Sequence, residues 1–506
     1  MRSRFATPVV IAVYLVVMLL TNTRFTLLDD EASSIAIAGR PIIPTLQLFF
    51  SGQGMAEEHP PGSNMLLHLW LLATHYSFFL LRAFANLFFI AAVIFLAKSA
   101  EKIAGPRAYW AVLAVAFLWP FAFQYGRIAG WYCVSMFFLC FITWAYLCLL
   151  DDRGSGAWIA FTVSSVLLVW TNYFGFVFLF LLLADFFLFH RGLAYRRVIP
   201  LLVAMSVIAL AFFPLLINAL RNLAAHAAPL VSRLDWKNEF AVFAYPSFAI
   251  FASAAVAPWF LPLSLPVFAA VLVLVSAIWL SPGRRWLIYF LICMAVLQIS
   301  GQMDIKRVLF LLPWLFLAMG LSICAAGARH PRLAAGALAV VVACGWAGIL
   351  SGRHYATTNL YEPWHKVAQV VARDARAGAT IVSENPTFFS YLDYQLGLQA
   401  ETKSADGSYL GEALYRAHRY TIFMPDADSP ELHSLRGRVV YVIGTGDPTA
   451  QSALNDQLRS RCTRLGEYHA APDPAALWKL RFANNVPVLR FRTEVIWYQC
   501  PDTGTE

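Results

Sequence analysis

The chain reads as a polytopic α-helical membrane protein with about eleven transmembrane helices, additional surface helices and a C-terminal extracytoplasmic α/β domain. Three observations predict this. Hydrophobic residues make up 59% of the 506 residues and charged residues only 13%, far from the balance of an average soluble domain. Long apolar runs recur from residue 8 to residue 350 and then stop. The basic turns between them all fall on one side of the membrane, as the positive-inside rule requires. A net charge of +9 is therefore explained by cytoplasmic loops, and membrane lipids rather than nucleic acid are the expected surroundings.

The first run, residues 8–20, follows Arg2 and Arg4 like a signal peptide. Thr21-Asn22-Thr23-Arg24 offers no small-residue cleavage site, so it reads as a retained helix with a cytoplasmic N-terminus. Residues 32–50, broken by Gly39-Arg40-Pro41, and residues 63–73 are shorter than the roughly 20 residues a span needs. They read as surface or re-entrant helices in a first extracytoplasmic loop, 21–78. Spans follow at 79–97, 108–124, 131–150, 157–171, 174–190, 198–218, 264–280, 286–300, 308–325 and 333–350, while the proline-broken stretch 240–266 does not count as one. Counting outward from the N-terminus puts the basic turns at 98–107, 153, 191–197, 284–285 and 329–332 in the cytoplasm. The expected location is the cytoplasmic (inner) membrane.

Residues 1–350 thus form a transmembrane domain expected to hold the catalytic groups, and residues 351–506 a soluble extracytoplasmic α/β domain. Residues 363–378 place Trp364, Val367, Ala368, Val371 and Ala375 on one helical face, and β-rich runs follow at 380–382, 420–424, 439–443 and 486–498. Of eight cysteines, Cys462 and Cys500 alone lie in this part, and an oxidising compartment makes them a candidate disulfide.

The chemistry concentrates in residues 27–62. Asp29-Asp30-Glu31 and Glu57-Glu58-His59-Pro60-Pro61 bring five carboxylates and a histidine to one membrane surface, where desolvating them is costly. Either they are solvated turns, with Asp capping the following helix, or they line a cavity in which a carboxylate takes a proton from a hydroxyl nucleophile. Glu58 and His59 suit a divalent metal ion or an anionic headgroup, although two adjacent residues do not make a metal site. Arg127, Lys306 and Arg307 are extracytoplasmic cations against the positive-inside bias; they either snorkel to lipid phosphate or bind a phosphate leaving group. Tyr173 is an interfacial anchor or a substrate contact, and Asp185 is the main acid within the spans.

These residues together resemble the membrane-embedded glycosyltransferases of the C superfamily, in the branch of protein O-mannosyltransferases and lipid A aminoarabinose transferases. The likeness rests on Asp30-Glu31, Glu58-His59-Pro60-Pro61, Leu81-Arg82-Ala83-Phe84, Thr171-Asn172-Tyr173-Phe174-Gly175, Lys306-Arg307-Val308-Leu309 with Leu312-Pro313, and Tyr361-Glu362-Pro363-Trp364. It implies a polyprenyl-phosphate-linked sugar donor, a lipid, glycan or protein acceptor on the extracytoplasmic face, and inversion at the sugar carbon. By resemblance Asp30 is the catalytic aspartate with Glu31 its neighbour. Glu58 falls where relatives hold a metal or the acceptor, and His59 where a lysine faces the lipid phosphate. Many relatives have an arginine two residues before the tyrosine near 131; here Gly130 precedes Trp131-Tyr132, and the nearest arginine is Arg127. A transporter or flippase of lipid-linked saccharide is the competing expectation, but such proteins place ionisable groups near the midplane, where this sequence has few.

Overall fold

The computed structural model describes residues 3–22, 29–39, 41–51, 60–75, 77–151, 154–220, 236–300, 303, 305–325, 327–350, 364–384, 386–396, 421–423, 430–445, 453–470 and 492–502. The Glu57-Glu58-His59 group, loop 221–235 and Tyr361-Glu362-Pro363 lie outside the described residues, as do the side chains of Asp29 and Asp30. The chain divides into two compact units. Met1–Arg24, Ala56–Ser63 and Arg82–Ala356 form the first; Phe25–Met55, Asn64–Leu81 and Thr357–Glu506 form the second.

The protein is a helical integral membrane protein. Among the described residues seven helices are long and apolar enough to cross a membrane: Leu80–Ala104, Trp131–Leu150, Gly154–Thr171, Val198–Leu220, Leu261–Trp279, Arg307–Cys324 and Pro331–Leu350. Four more expected spans are also helical: Ser3–Asn22, Pro106–Leu118 continued by Pro120–Tyr125, Gly175–Phe189 and Arg284–Ile299. The break within the expected span at 108–124 comes from Pro120, which forces Trp119 out of the helical region to φ −71° and ψ 115°. The Trp119 indole then donates to the Ile250 carbonyl at 2.7 Å.

Leu312–Cys324 is the hub of the first unit. It packs against Pro106–Leu118, Trp131–Leu150, Leu261–Trp279, Arg284–Ile299 and Pro331–Leu350, and Leu312 through Ser322 are all buried. Gly320 permits the close approach of Pro106–Leu118, since a Cβ there would overlap the Val112 side chain. Val198–Leu220 is the opposite case: Leu201, Ala204, Ile208 and Leu215 form a narrow buried stripe, and the remaining face is left for lipid. Within the stretch 240–266, helix Trp236–Ala252 ends at Ser253, whose φ is 70°. That left-handed residue is held by its hydroxyl, which donates to Gln124 Oε1 at 2.7 Å and accepts the Ala255 N–H at 3.0 Å.

Asp185 is buried in the bundle. Its carboxylate accepts hydrogen bonds from the Tyr146 and Tyr289 hydroxyls, with Arg285 Nε at 3.2 Å and His190 Nε2 at 3.8 Å. The cluster ties Gly175–Phe189 to Trp131–Leu150 and Arg284–Ile299, three helices whose interface would otherwise be apolar.

The second unit contains a five-stranded sheet in the order β2-β1-β3-β5-β4, where β1 is Thr380–Ser383, β2 Thr421–Phe423, β3 Gly437–Thr445, β4 Thr463–Ala470 and β5 Arg492–Cys500. Strand β1 runs parallel to β2 and β3, and β5 is antiparallel to β3 and β4. Strand β4 escapes the sequence pattern because Thr463–Ala470 is an edge strand, polar on both faces and without an apolar alternation. Val439, Tyr441, Ile496 and Tyr498 pack with Leu454 and Leu458 of helix Ala453–Arg461. Helix Trp364–Arg376 packs on β1 and β5, where Trp497 Nε1 donates to Asp374 Oδ2 at 2.8 Å. It also packs against helix Pro386–Leu396. Because Thr463 pairs with Gln499, Cys462 lies opposite Cys500, and the two form a disulfide.

Replacing Asp185 by Ala is expected to lower stability by about 3 kcal/mol, because Arg285 loses its counter-charge and two tyrosine hydroxyls lose their acceptor; thermal unfolding in detergent measures it. The double variant Asp185→Leu with Arg285→Met is expected to regain most of that loss. Cys500→Ala is expected to cost the second unit up to about 4 kcal/mol through the entropy of an unclosed loop, read as a lower melting temperature that reductant reproduces in the parent protein.

Candidate active site

The cations singled out in the sequence lie at the ends of the spans, and each is positioned by identifiable packing. Arg127 follows the short helix Pro120–Tyr125 and is buried. Its Nε donates to the Phe123 carbonyl and its Nη1 to Thr21 Oγ1, both at 3.0 Å, Nη2 approaches Met18 Sδ at 3.4 Å, and the guanidinium lies 4.3 Å from the Phe123 ring centre. Arg127 therefore binds its own segment to the first helix. Nearby, the Arg82 Nη1 donates to the Asn22 carbonyl at 2.5 Å, closing the end of the first helix against Phe78–Ala104.

Lys306 is buried and Arg307 half-buried at the start of a 3₁₀ turn, Arg307–Leu311. Phe310 in that turn packs against Trp131 at 5.3 Å, Phe174 at 5.9 Å and Phe178 at 5.8 Å between ring centres. This aromatic wedge brings the Lys306-Arg307 pair to the ends of Trp131–Leu150 and Gly175–Phe189. There Asn172 is buried, and its Oδ1 accepts the Phe174 N–H at 2.9 Å to begin the helix. Its Nδ2 is buried with no hydrogen-bond partner among the described residues. Tyr173 is half-buried with its ring edge-on to Phe212 at 6.3 Å.

In the second unit Asp30 and Glu31 occupy the first turn of helix Asp29–Ala38. Glu31, Ile35 and Ala38 are buried along one face, and the helix packs against Pro386–Leu396. His68, on helix Gly62–Ala73, holds the far end: its Nδ1 lies 2.7 Å from the Ala38 carbonyl. Glu58 and His59 fall outside the described residues.

Set beside solved structures, the chain aligns along its whole length with two of ArnT from Cupriavidus metallidurans, one bound to undecaprenyl phosphate and one in the apo state. The fold is that of ArnT. The TM-scores are 0.54 and 0.55, with 14% identity and 98% of each chain covered in both cases. The sequence matches no protein-family model and no curated protein.

Two features of this ArnT-like chain have no counterpart among the sequence-derived candidates. His68 is one; its only local signal is an imidazole embedded in the apolar run Leu66-Leu67-His68-Leu69, which calls for a partner from elsewhere in the fold. The other is the trio Glu467, His469 and Glu494 on β4 and β5, the one group with metal-ligand chemistry found among the described residues. His469 Nε2 faces Glu467 at 3.5 Å and Nδ1 faces Glu494 at 3.3 Å, while Glu467 is also paired with Arg464. The trio sits on an exposed sheet edge, where acidic side chains beside a histidine commonly occur without an ion.

Arg127→Ala is expected to destabilise the first unit by about 2 kcal/mol, because charge-assisted bonds to the first helix are lost. Arg127→Lys is expected to recover less than half, since an ammonium cannot reproduce the fork of contacts. Thermal unfolding of the purified variants checks both.

Proposed function

We propose that the protein is a glycosyltransferase that moves a sugar from a polyprenyl-phosphate-linked donor to an acceptor hydroxyl on the extracytoplasmic face, with inversion at C1. The observation that carries this reading is the end-to-end likeness to ArnT in complex with undecaprenyl phosphate, taken with the ordered motifs of the same superfamily in this sequence. The acceptor is a lipid, a glycan or a protein. The N-terminus lies in the cytoplasm, and the α/β part lies outside the cytoplasmic membrane.

The Asp30 carboxylate accepts the proton of the acceptor hydroxyl as its oxygen attacks C1 of the sugar; the C1–O bond to the lipid phosphate breaks, and the electron pair leaves on the phosphate. Arg307, with Lys306, neutralises the departing phosphate, a task for which fixed cations beside hydrocarbon are well suited because little water competes. By the family resemblance His59 is assigned to the same phosphate and Glu58 to the acceptor or a divalent ion, and Tyr173 is assigned to the sugar. Arg127, engaged with the first helix, acts on the donor through the position of that helix. Asp185 is engaged by Tyr146, Tyr289 and Arg285, which weighs against a transport role for that acid.

Purified full-length protein incubated with undecaprenyl-phosphate-linked hexose, pentose and aminoarabinose is expected to release undecaprenyl phosphate from at least one of them. Asp30→Asn is expected to reduce that release by about 10²-fold or more with unchanged membrane insertion. Arg307→Ala is expected to weaken donor use well beyond Arg221→Ala. Normal turnover by Asp30→Asn removes the base assignment, and equal effects of the two arginine variants remove the phosphate assignment.

A further inference from the structure

A ten-residue helix such as Asp29–Ala38 is too short to hold itself together in water, so its position is set by whatever it packs against. In this chain those supports lie in the second unit. Residues Phe25–Met55 and Asn64–Leu81 group with Thr357–Glu506, helix Asp29–Ala38 packs on Pro386–Leu396, and its Glu31, Ile35 and Ala38 are buried at i, i+4 and i+7. Pro386–Leu396 in turn follows β1, the strand that pairs with both β2 and β3.

The C-terminal end of the acidic helix has a second anchor. The last carbonyls of a helix have no partner within it. The Gly39 N–H closes on Ile35 O at 2.8 Å, and the carbonyl of Ala38 meets His68 Nδ1 at 2.7 Å, a contact made across 30 residues of sequence. A carbonyl accepts only, so Nδ1 carries the proton and the ring donates. The loop side of His68 is fixed as well: Trp70 Nε1 donates to the Leu80 carbonyl at 2.8 Å, joining the end of helix Gly62–Ala73 to the start of Phe78–Ala104.

We propose that His68 is a positioning residue for the catalytic base: together with helix Pro386–Leu396 it sets the tilt of helix Asp29–Ala38 and thereby the place of Asp30. The proposal rests on the reading of Asp30 as the base. Asp30 is eight residues from Ala38, about 12 Å along the helix. A tilt of about 5° pivoting at Ala38 therefore displaces the Asp30 backbone by about 1 Å, a misplacement that costs proton transfer on the order of 10²-fold. The α/β unit is on this account part of the catalytic apparatus as well as a soluble appendage.

The test uses full-length protein and release of undecaprenyl phosphate from the undecaprenyl-phosphate-linked sugar that the parent protein consumes. His68→Ala is expected to lower kcat at least tenfold while KM for the donor stays within twofold, and to speed hydrogen exchange at the Gly39 amide. His68→Asn, whose amide nitrogen occupies the place of Nδ1, is expected to restore both kcat and the Gly39 protection. Parent-like kcat in His68→Ala overturns the proposal, as does a loss of kcat accompanied by a matching fall in melting temperature that His68→Asn does not reverse. Full activity in Asp30→Asn instead overturns the base assignment, whatever the His68 variants do.

Discussion

A polar group in hydrocarbon has no water to fall back on, and that constraint shapes the first unit from end to end. Asp185 meets it with two tyrosine hydroxyls and an arginine, so one intramembrane acid binds three helices together. Arg127 meets it with a backbone carbonyl, the Thr21 hydroxyl, the Met18 sulfur and an aromatic face. Trp119, freed by the proline after it, meets it through the carbonyl of Ile250. Lipid provides no hydrophobic drive between helices, so these polar ties and close approaches such as Gly320 to Val112 carry much of the specificity of the bundle.

The helix that carries the proposed base and the two that follow it are short. Asp29–Ala38, Ile42–Ser51 and Gly62–Ala73 have 10, 10 and 12 residues, about half the length of a comfortable span, and borrow their order from neighbours. The acidic helix takes its place from the unit that holds the sheet, while Lys306 and Arg307 belong to the first unit. The Lys306-Arg307 pair illustrates the second half: Phe310, wedged among Trp131, Phe174 and Phe178, gives the turn that carries the cations a fixed seat.

Composition and charge placement by themselves determined that the chain is a many-span helical membrane protein, because apolar runs and positive-inside turns are local properties that survive any change of neighbour. They also determined the amphipathic helix at Trp364, whose buried face Trp364, Val367, Ala368, Val371 and Ala375 is written at helical spacing. The motif order around Asp30, Lys306 and Arg307 was legible for the same reason, as short runs of sequence. Polar edge strand β4 was not legible, since Thr463–Ala470 has no periodic apolar face to read.

What only the tertiary structure decided is which distant residues meet. Nothing near Asp185 in sequence announces Tyr146 or Tyr289, and nothing near Ala38 announces His68, because hydrogen bonds between elements 30 to 104 residues apart depend on helix packing and not on spacing. The same holds for the acidic helix itself. Its sequence names the carboxylates, but its burial against Pro386–Leu396 joins them to the α/β unit, because a helix of ten residues takes its place from the surface that it buries.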